Sequence, residues 1–456
     1  MPETDLVILG GGSGGYACAL RAAELGLTVT LIERDKLGGT CLHRGCIPTK
    51  ALLHAGEVAD TVRNSAAFGV EAEFGRIDLP GVRAYLDKVV NRLWKGLQGL
   101  VSARDIDYVS GHGSLSGADT VTVNGDSYRA AKAVVLATGS QPRTLPGLDI
   151  DGKRVITSDQ ALLLTELPAS VLVLGGGVIG VEFASIWRSY GAEVSIVEAL
   201  PRLLPLEDES SSKLLERALR KLGISITTGR RNTDLKRRDE GVTLTLDDGQ
   251  TLDAELLLVA VGRGPVSADI GFESAGVSTD RGYVVVDNQC QTTVPGVYAI
   301  GDLRPGPQLA HLGFAEGIRV AELIAGEQPP PIDYDQIPRV TYSHPEVAAV
   351  GLSSAQATER GHEVVDYTYD LAGNGRAQIL GISGAVKVVA AKDGPVLGVH
   401  MVGDRVGDLV AEAQLITNWE ALPSEVARLL HPHPTMSEAI GEAHLALAGK
   451  PLHAHG

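Results

Sequence analysis

The stretch DLVILGGGSGGYACALRAAELGLTVTLIE, residues 5–33, runs from an apolar strand into Gly10-x-Gly12-x-x-Gly15, then an amphipathic helix, then a second strand ending on Glu33. It is a whole βαβ dinucleotide unit and not an isolated glycine motif. The glycines permit a tight turn, let backbone approach a pyrophosphate, and bring helix against strand. The helix N-terminus adds oriented N–H groups and positive potential, and Glu33 is placed to accept hydrogen bonds from a ribose diol.

A second copy, VLVLGGGVIGVEFASIWRSYGAEVSIVE at 171–198, repeats the grammar with Gly175, Gly177, Gly180 and a terminal Glu198. In both copies the acid lies eighteen positions after the last glycine. Two matched copies make a chain that binds two dinucleotides. A carboxylate at Glu198 favours a free ribose 2'-hydroxyl over a 2'-phosphate, so the second site is expected to take NAD rather than NADP. Arg202 lies close by and reads as a surface arginine after a turn.

Three further strand ends fit a chain wrapped around a large ligand. AVVLATGS (133–140) and LLLVAVGRGP (256–265) are buried-strand patterns closing on small residues, among them Thr138, Gly139, Ser140 and Gly262. TTVPGVYAIGD (292–302) ends on Asp302, a reasonable polyol ligand and equally a common turn residue.

Composition narrows the class. At 456 residues the chain exceeds what one core serves, so several domains are expected. A hydrophobic fraction of 44% is ordinary for a soluble α/β protein. No apolar run reaches the roughly 18 residues that cross a bilayer, and the N-terminal pattern has no basic leader; no membrane role and a cytoplasmic location are expected. A net charge of -16 with 4% aromatics argues against a nucleic-acid partner and suits attraction of a basic protein.

The expected organisation is a unit over 1–148, a second dinucleotide unit over 149–268, a segment 269–336 returning to the first ligand, and a C-terminal unit over 337–456. The proline-rich GEQPPPIDYDQIPRV (326–340) marks the last boundary. Beyond it AVKVVAAKDGPVLGVHMVG (385–403) reads as a hairpin turning at Asp393 and Gly394, followed by helices near 407–418, 423–430 and 435–448. The fold class is α/β: two Rossmann-like domains and a C-terminal α+β domain.

GGTCLHRGCIPTK, residues 38–50, holds two of the four cysteines, Cys41 and Cys46. A structural zinc needs about four ligands, and one Cys-x4-Cys pair with His43 and His54 nearby does not supply them, so no metal is expected. Closing so short a loop removes little chain entropy, which weakens the reading as a staple. Redox work leads. In a regular helix these positions have Cα atoms roughly 8.7 Å apart, beyond the roughly 4.4 to 6.8 Å a disulfide spans. A bridge therefore needs local unwinding, which Gly45 allows, with Pro48 in the first turn of a following helix. Cys18 and Cys290 read as small buried apolar residues.

Taken together, the two fingerprints, GGTCLHRGCIPTK, TTVPGVYAIGD and HPHPTMSEA (431–439) resemble the flavoprotein disulfide reductase family along essentially the whole chain. LAHLGFAEG (309–317), GNGRA (373–377) and GVHMVG (398–403), with Glu198, are most similar to its members that oxidise dihydrolipoyl groups. The resemblance implies FAD at the first fingerprint, with Gly10, Gly12, Gly15, Glu33, Gly113, Thr138, Gly139, Asp302 and Ala310 at family cofactor positions. It implies NAD at the second.

By the same resemblance Cys41 and Cys46 form the redox disulfide, Cys46 facing the flavin and Cys41 the substrate. Lys50 and Glu182, each a plain solvated charge when read alone, match a pair beside the flavin ring. His433 and Glu438 match the acid/base pair, contributed across a homodimer; His431 is the competing histidine but does not precede Pro-Thr. Pro432 stands where the family often has Ala, and a cis His433–Pro434 bond is suggested.

The implied activity is oxidation of protein-bound dihydrolipoyl to lipoyl with reduction of NAD. The implied partners are the lipoyl domains and acyltransferase core of a 2-oxoacid dehydrogenase complex. Glu198 argues against an NADP-dependent reductase of small disulfides. GKPLHAHG (449–456) lacks the second redox pair of mercuric or selenium-dependent reductases, and retention of Cys41, Cys46, His433 and Glu438 argues against a purely structural subunit.

Overall fold

In the computed structural model, which describes residues 3–453, the first βαβ unit builds a seven-stranded sheet. Its order is Asp107–Ser110, Val29–Glu33, Glu3–Leu9, Asp126–Leu136, Thr120–Val123, Gly113–Gly117, with Val297–Ala299 also pairing Asp126–Leu136. Leu6, Val7, Ile8 and Leu31 are fully buried, as an apolar strand covered on both faces requires. The parallel pairing of Leu6 to Leu9 with Val29 to Ile32 and with Ala133 to Leu136 puts Gly10, Glu33 and Ala137 at one sheet edge.

The second unit repeats the arrangement in a five-stranded parallel sheet, ordered Ser225–Thr228, Glu193–Glu198, Ser170–Leu174, Leu256–Val259, Val155–Ile156. A three-stranded antiparallel meander over Asn232–Arg238, Gly241–Leu246 and Thr251–Ala254 flanks it. One continuous apolar core joins the two units. The helix Cys46–Asn64 packs on the helix Val178–Tyr190, where the Tyr190 hydroxyl donates to Leu52 O at 3.0 Å.

The C-terminal unit is a five-stranded antiparallel sheet, ordered Arg339–Thr341, Glu346–Gly351, Val396–Gly403, Ala385–Ala391, Val364–Asp370. The helices Val406–Asn418 and Glu438–Leu447 pack on it. The hairpin turns at Asp393, whose φ is 57°. Helix ends differ from the sequence pattern: helix spans Pro423–Val426 and Glu438–Leu447, leaving most of 427–437 as loop. Pro432 and Pro434 lack the N–H a helix needs and hold the preceding residues out of the α region. The His433–Pro434 bond is cis. Residues 454–456, the end of the stretch in which no second redox pair is expected, lie outside the described residues.

Candidate active site

The two glycine turns have the same geometry. Gly10 and Gly175 have φ of 111° and 115°, and a Cβ at either would lie 2.2 Å from Ala137 O or 2.3 Å from Ala260 O. A Cβ at Gly15 or Gly180 would lie 1.8 Å or 1.9 Å from the carbonyl of Gly10 or Gly175. Only hydrogen fits there, so helix and strand close directly on one another. Gly177 has open space where a Cβ would be. Gly12 and Gly177 start their helices without a side-chain cap, which leaves first-turn N–H groups for an anion.

The acids match as well. Gly11 N–H donates to Glu33 Oε2 at 2.7 Å and Asp35 N–H to Oε1 at 2.8 Å. Gly176 N–H donates to Glu198 Oε2 at 2.6 Å and Leu200 N–H to Oε1 at 2.7 Å. Burial raises the Glu33 carboxyl above its ordinary value, against the Gly11 N–H and the Arg34 and Arg44 charges. Arg202 is turned into its own loop, donating to Pro205 O at 2.9 Å.

A cavity of about 870 Å³ starts at Glu33, passes Gly12 and Gly139, and reaches Cys46, Lys50, Glu182, Asp302 and Ala310. Gly10, Cys41, Gly113, Thr138 and Ser140 line it too. The buried Gln308 amide nitrogen on its wall has no partner among the described residues. Uncapped N–H groups and an orphan donor for phosphate and ring oxygens, with the Glu33 carboxylate as acceptor for ribose hydroxyls, are what a dinucleotide satisfies, so the residues present fit FAD. Gly175, Gly177, Gly180, Glu198 and Gly262 lie outside this cavity, on the second unit. Gly262, at φ 106°, accepts from Arg143 N–H at 3.0 Å beside the strand Arg263–Pro265.

Near the middle of the cavity the chain breaks between the helices Gly39–Arg44 and Cys46–Asn64, at Gly45, with φ −145° and ψ −112°. Cys46 becomes the first residue of the longer helix and Pro48 its third. Both cysteines are free thiols, with the Cys41 thiol hydrogen-bonded to the Cys46 sulfur. That bond and the Lys50 ammonium hold Cys46 below the ordinary thiol range despite burial. Cys41 is raised. Cys41 is thus the proton holder of the pair and Cys46 the thiol that ionises first.

Lys50 Nζ donates to Glu182 Oε1 and Oε2, both at 2.9 Å. It also lies 4.6 Å from the centroid of Tyr342, whose own N–H donates to Glu182 Oε1 at 2.9 Å. His43 is turned away to Leu37 O at 2.9 Å, and His54 to Glu57 at 2.9 Å.

His433 and Glu438 pair, Nδ1 to Oε1 at 2.8 Å, and Thr435 N–H donates to Glu438 Oε2 at 2.7 Å. Against burial, these bonds hold the Glu438 carboxyl below its ordinary value. The His433 side chain is 75% exposed and does not line the cysteine cavity of its own chain. His431 pairs with Glu412 at 2.7 Å but is only 11% exposed. Of the two histidines, His433 is the one an incoming group can reach.

Sequence reading passed over Arg263 and Tyr342. Arg263 donates to Ser140 Oγ and Ser140 O, both at 2.8 Å, while Ser140 Oγ donates to Asp302 Oδ2 at 2.6 Å. Its position at the end of the buried run LLLVAVG was the available signal, a cation where a strand meets a ligand. Tyr342 carried none, because its role comes from a contact between distant segments.

Residues 4–317 match the family described as pyridine nucleotide-disulphide oxidoreductase, and residues 337–444 match that family's dimerisation domain. A dihydrolipoyl dehydrogenase of Bacillus subtilis (strain 168) is 43% identical over 470 residues, covering 99% of each chain. Dihydrolipoyl dehydrogenase 1, mitochondrial, of Arabidopsis thaliana is 38% identical, covering 99% of this chain and 92% of the relative. Among solved structures, LpdA from Mycobacterium tuberculosis has a TM-score of 0.90 at 27% identity, covering 98% of this chain and 100% of the other.

Proposed function

The chain belongs to the pyridine nucleotide-disulphide oxidoreductase family, and from that premise we propose that it oxidises protein-bound dihydrolipoyl groups and reduces NAD. It is an FAD-dependent enzyme. The observation that carries the reading is the Cys41 and Cys46 pair in one cavity with Lys50 and Glu182, at the joint between two matched dinucleotide units.

Gly10, Gly12, Gly15, Glu33, Gly113, Thr138, Gly139, Ser140, Asp302 and Ala310 would hold FAD. Gly175, Gly177, Gly180, Glu198 and Gly262 would hold NAD. When bound, FAD accepts two electrons from the enzyme dithiol and yields them as hydride to NAD.

The protein's own part is thiol exchange. In the oxidised enzyme Cys41 and Cys46 share a disulfide. His433 Nε2 takes a proton from the dihydrolipoyl dithiol, and Glu438 on Nδ1 holds the ring in the tautomer that leaves Nε2 free. The substrate thiolate attacks Cys41 sulfur, the Cys41–Cys46 bond breaks, and Cys46 leaves as thiolate. Lys50 stabilises that charge. The second substrate thiol gives up its proton as its sulfur attacks the sulfur joined to Cys41, releasing cyclic lipoyl; of the two substrate protons one ends on Cys41 and the other on His433. Two electrons leave the substrate and two enter the protein dithiol.

His433 does not line the cavity that holds Cys41 in its own chain, and the match to a dimerisation domain supports a homodimer. A partner subunit supplies His433 and Glu438 to each cysteine pair, and lipoyl domains on a 2-oxoacid dehydrogenase core are the substrate. Among the described residues no helix is long and apolar enough to cross a membrane. A chain of 456 residues with only four cysteines has no secreted disulfide framework, which supports a cytoplasmic location.

The test is anaerobic titration of the holoenzyme with dihydrolipoamide. A long-wavelength absorption band is expected, followed by NADH once NAD is added; absence of both overturns the proposal.

A further inference from the structure

Between the second dinucleotide unit and the C-terminal sheet lies a set of buried charges that the proposed chemistry does not use. Arg339 Nε donates to Glu207 Oε1 at 3.0 Å and its Nη2 to Oε2 at 3.2 Å. Lys387 Nζ donates to Asp208 Oδ1 and Oδ2 at 3.2 Å and 3.1 Å, and lies 3.2 Å from Asp366. Glu207 and Asp208 are 8% and 5% exposed at their side chains, and Lys387 13%. Burying four charges costs solvation that mutual pairing only partly restores, so apolar residues would hold these two units together at least as well. Their directionality is what an apolar contact lacks.

The carboxylates are the end of a loop, 199–208, that covers the second glycine turn. Leu200 N–H donates to Glu198 Oε1 at 2.7 Å, and Leu204 N–H to Gly176 O at 2.9 Å. Leu203 packs so closely that a Cβ at Gly176 would lie 2.5 Å from its Cδ2. Glu207 N–H then donates to Leu204 O at 2.9 Å, and Asp208 caps the helix Glu209–Lys221 through Ser210 N–H at 2.9 Å. From the same segment as Arg339, Tyr342 N–H donates to Glu182 at 2.9 Å and His344 N–H to Ser185 Oγ at 3.3 Å. Both acceptors sit on the helix that begins at the second fingerprint. The C-terminal sheet therefore grips the loop over the turn and the helix leading from it.

We propose that Arg339 and Lys387 are positioning residues for the nicotinamide half of the reaction, fixing loop 199–208 over the second glycine turn through Glu207 and Asp208. The inference rests on the reading that this second unit takes NAD. Neither cation lines the cysteine cavity, while Tyr342 of the Arg339 segment does, so the dithiol half of the reaction reports whether a variant disturbs that segment as a whole.

The test measures the two half-reactions separately on the holoenzyme by anaerobic rapid mixing, following flavin reduction by NADH and by dihydrolipoamide. Arg339→Met, Lys387→Met and the double variant Lys387→Met with Asp208→Asn are compared with wild type. The double variant removes both charges of one pair, so it folds even where a lone buried carboxylate would not be tolerated, and Asn keeps the helix cap. In each variant the NADH concentration giving half-maximal reduction rate is expected to rise about 3- to 30-fold. The dihydrolipoamide phase is expected to keep its wild-type rate. An unchanged NADH phase in all three variants overturns the inference, as does an equal fall in both phases, which would mark a structural role. A wild-type flavin that NADH does not reduce overturns the functional reading itself, and this is seen before any variant is made.

Discussion

Lys50 Nζ is 2.9 Å from both carboxylate oxygens of Glu182, tying the helix that begins at Cys46 to the helix that begins at the second glycine turn. This pair sets the charge felt by Cys46 from two directions, since Lys50 lowers its pKa and so favours the thiolate, while Glu182 raises it. Replacing Lys50 by Met removes the favourable charge and leaves the unfavourable one. The pH at which Cys46 ionises is therefore expected to rise by about one unit or more. The rate of iodoacetamide alkylation against pH, in a Cys41→Ser background that keeps a hydroxyl donor, reads that midpoint. An unmoved midpoint would remove Lys50 from the thiolate's environment.

The glycine turns separate two kinds of loss. Gly175→Ala forces a side chain onto φ 115° and to within 2.3 Å of Ala260 O, which is expected to cost on the order of 2 kcal/mol or more and to lower the melting temperature. Gly177→Ala meets nothing in the protein. Its melting is expected to match wild type while NADH binds more weakly, because the added methyl enters ligand space. Thermal melts and NADH titrations of both variants check the contrast, and equal melts would refute the steric account.

What the sequence made legible was local. Each βαβ unit writes its strand, turn and helix into consecutive residues, and the spacing from last glycine to acid reproduces the paired N–H contacts of Glu33 and Glu198. Gly45 and Pro48 likewise announce the break that makes Cys46 a helix start. Contacts between distant segments left no such mark. Tyr342 beside Lys50, Arg263 on Ser140 and Lys387 on Asp208 depend on how whole units pack, and each side chain alone reads as an ordinary surface residue. The helix pattern through 427–430 was overruled by Pro432 and Pro434 downstream.

His433 and Glu438 are expected to matter to only one half-reaction. His433→Gln should slow flavin reduction by dihydrolipoamide about 10²- to 10⁴-fold, the range for loss of a general base. Reduction by NADH should persist, since that phase takes no proton from a substrate dithiol. Glu438→Gln keeps a hydrogen-bond acceptor toward His433 Nδ1 and should cost less. Rapid-mixing measurements of both phases check this; loss of the NADH phase in His433→Gln would instead indicate a folding defect.

Glu346 should make the protein more stable in mild acid than in mild base. Its Oε2 accepts Gly407 N–H at 2.8 Å at the joint between the strand Glu346–Gly351 and the helix Val406–Asn418. Burial, with Asp404, Asp408 and Glu57 nearby, raises its carboxyl to about 7, while the Gly407 N–H opposes the rise. The folded state thus binds a proton that the unfolded state, near the ordinary value of 4.5, has already lost. Between those two values folding stability falls as pH rises, and above about 7 the loss is complete. Glu346→Gln keeps an oxygen for Gly407 and cannot ionise. At pH 8 it is expected to exceed wild type by on the order of 2 kcal/mol, a gain that disappears toward pH 4.5. Urea melts of both proteins at those two pH values provide the measurement. A gain of equal size at both would mean that packing, and not the charge on Glu346, sets the difference.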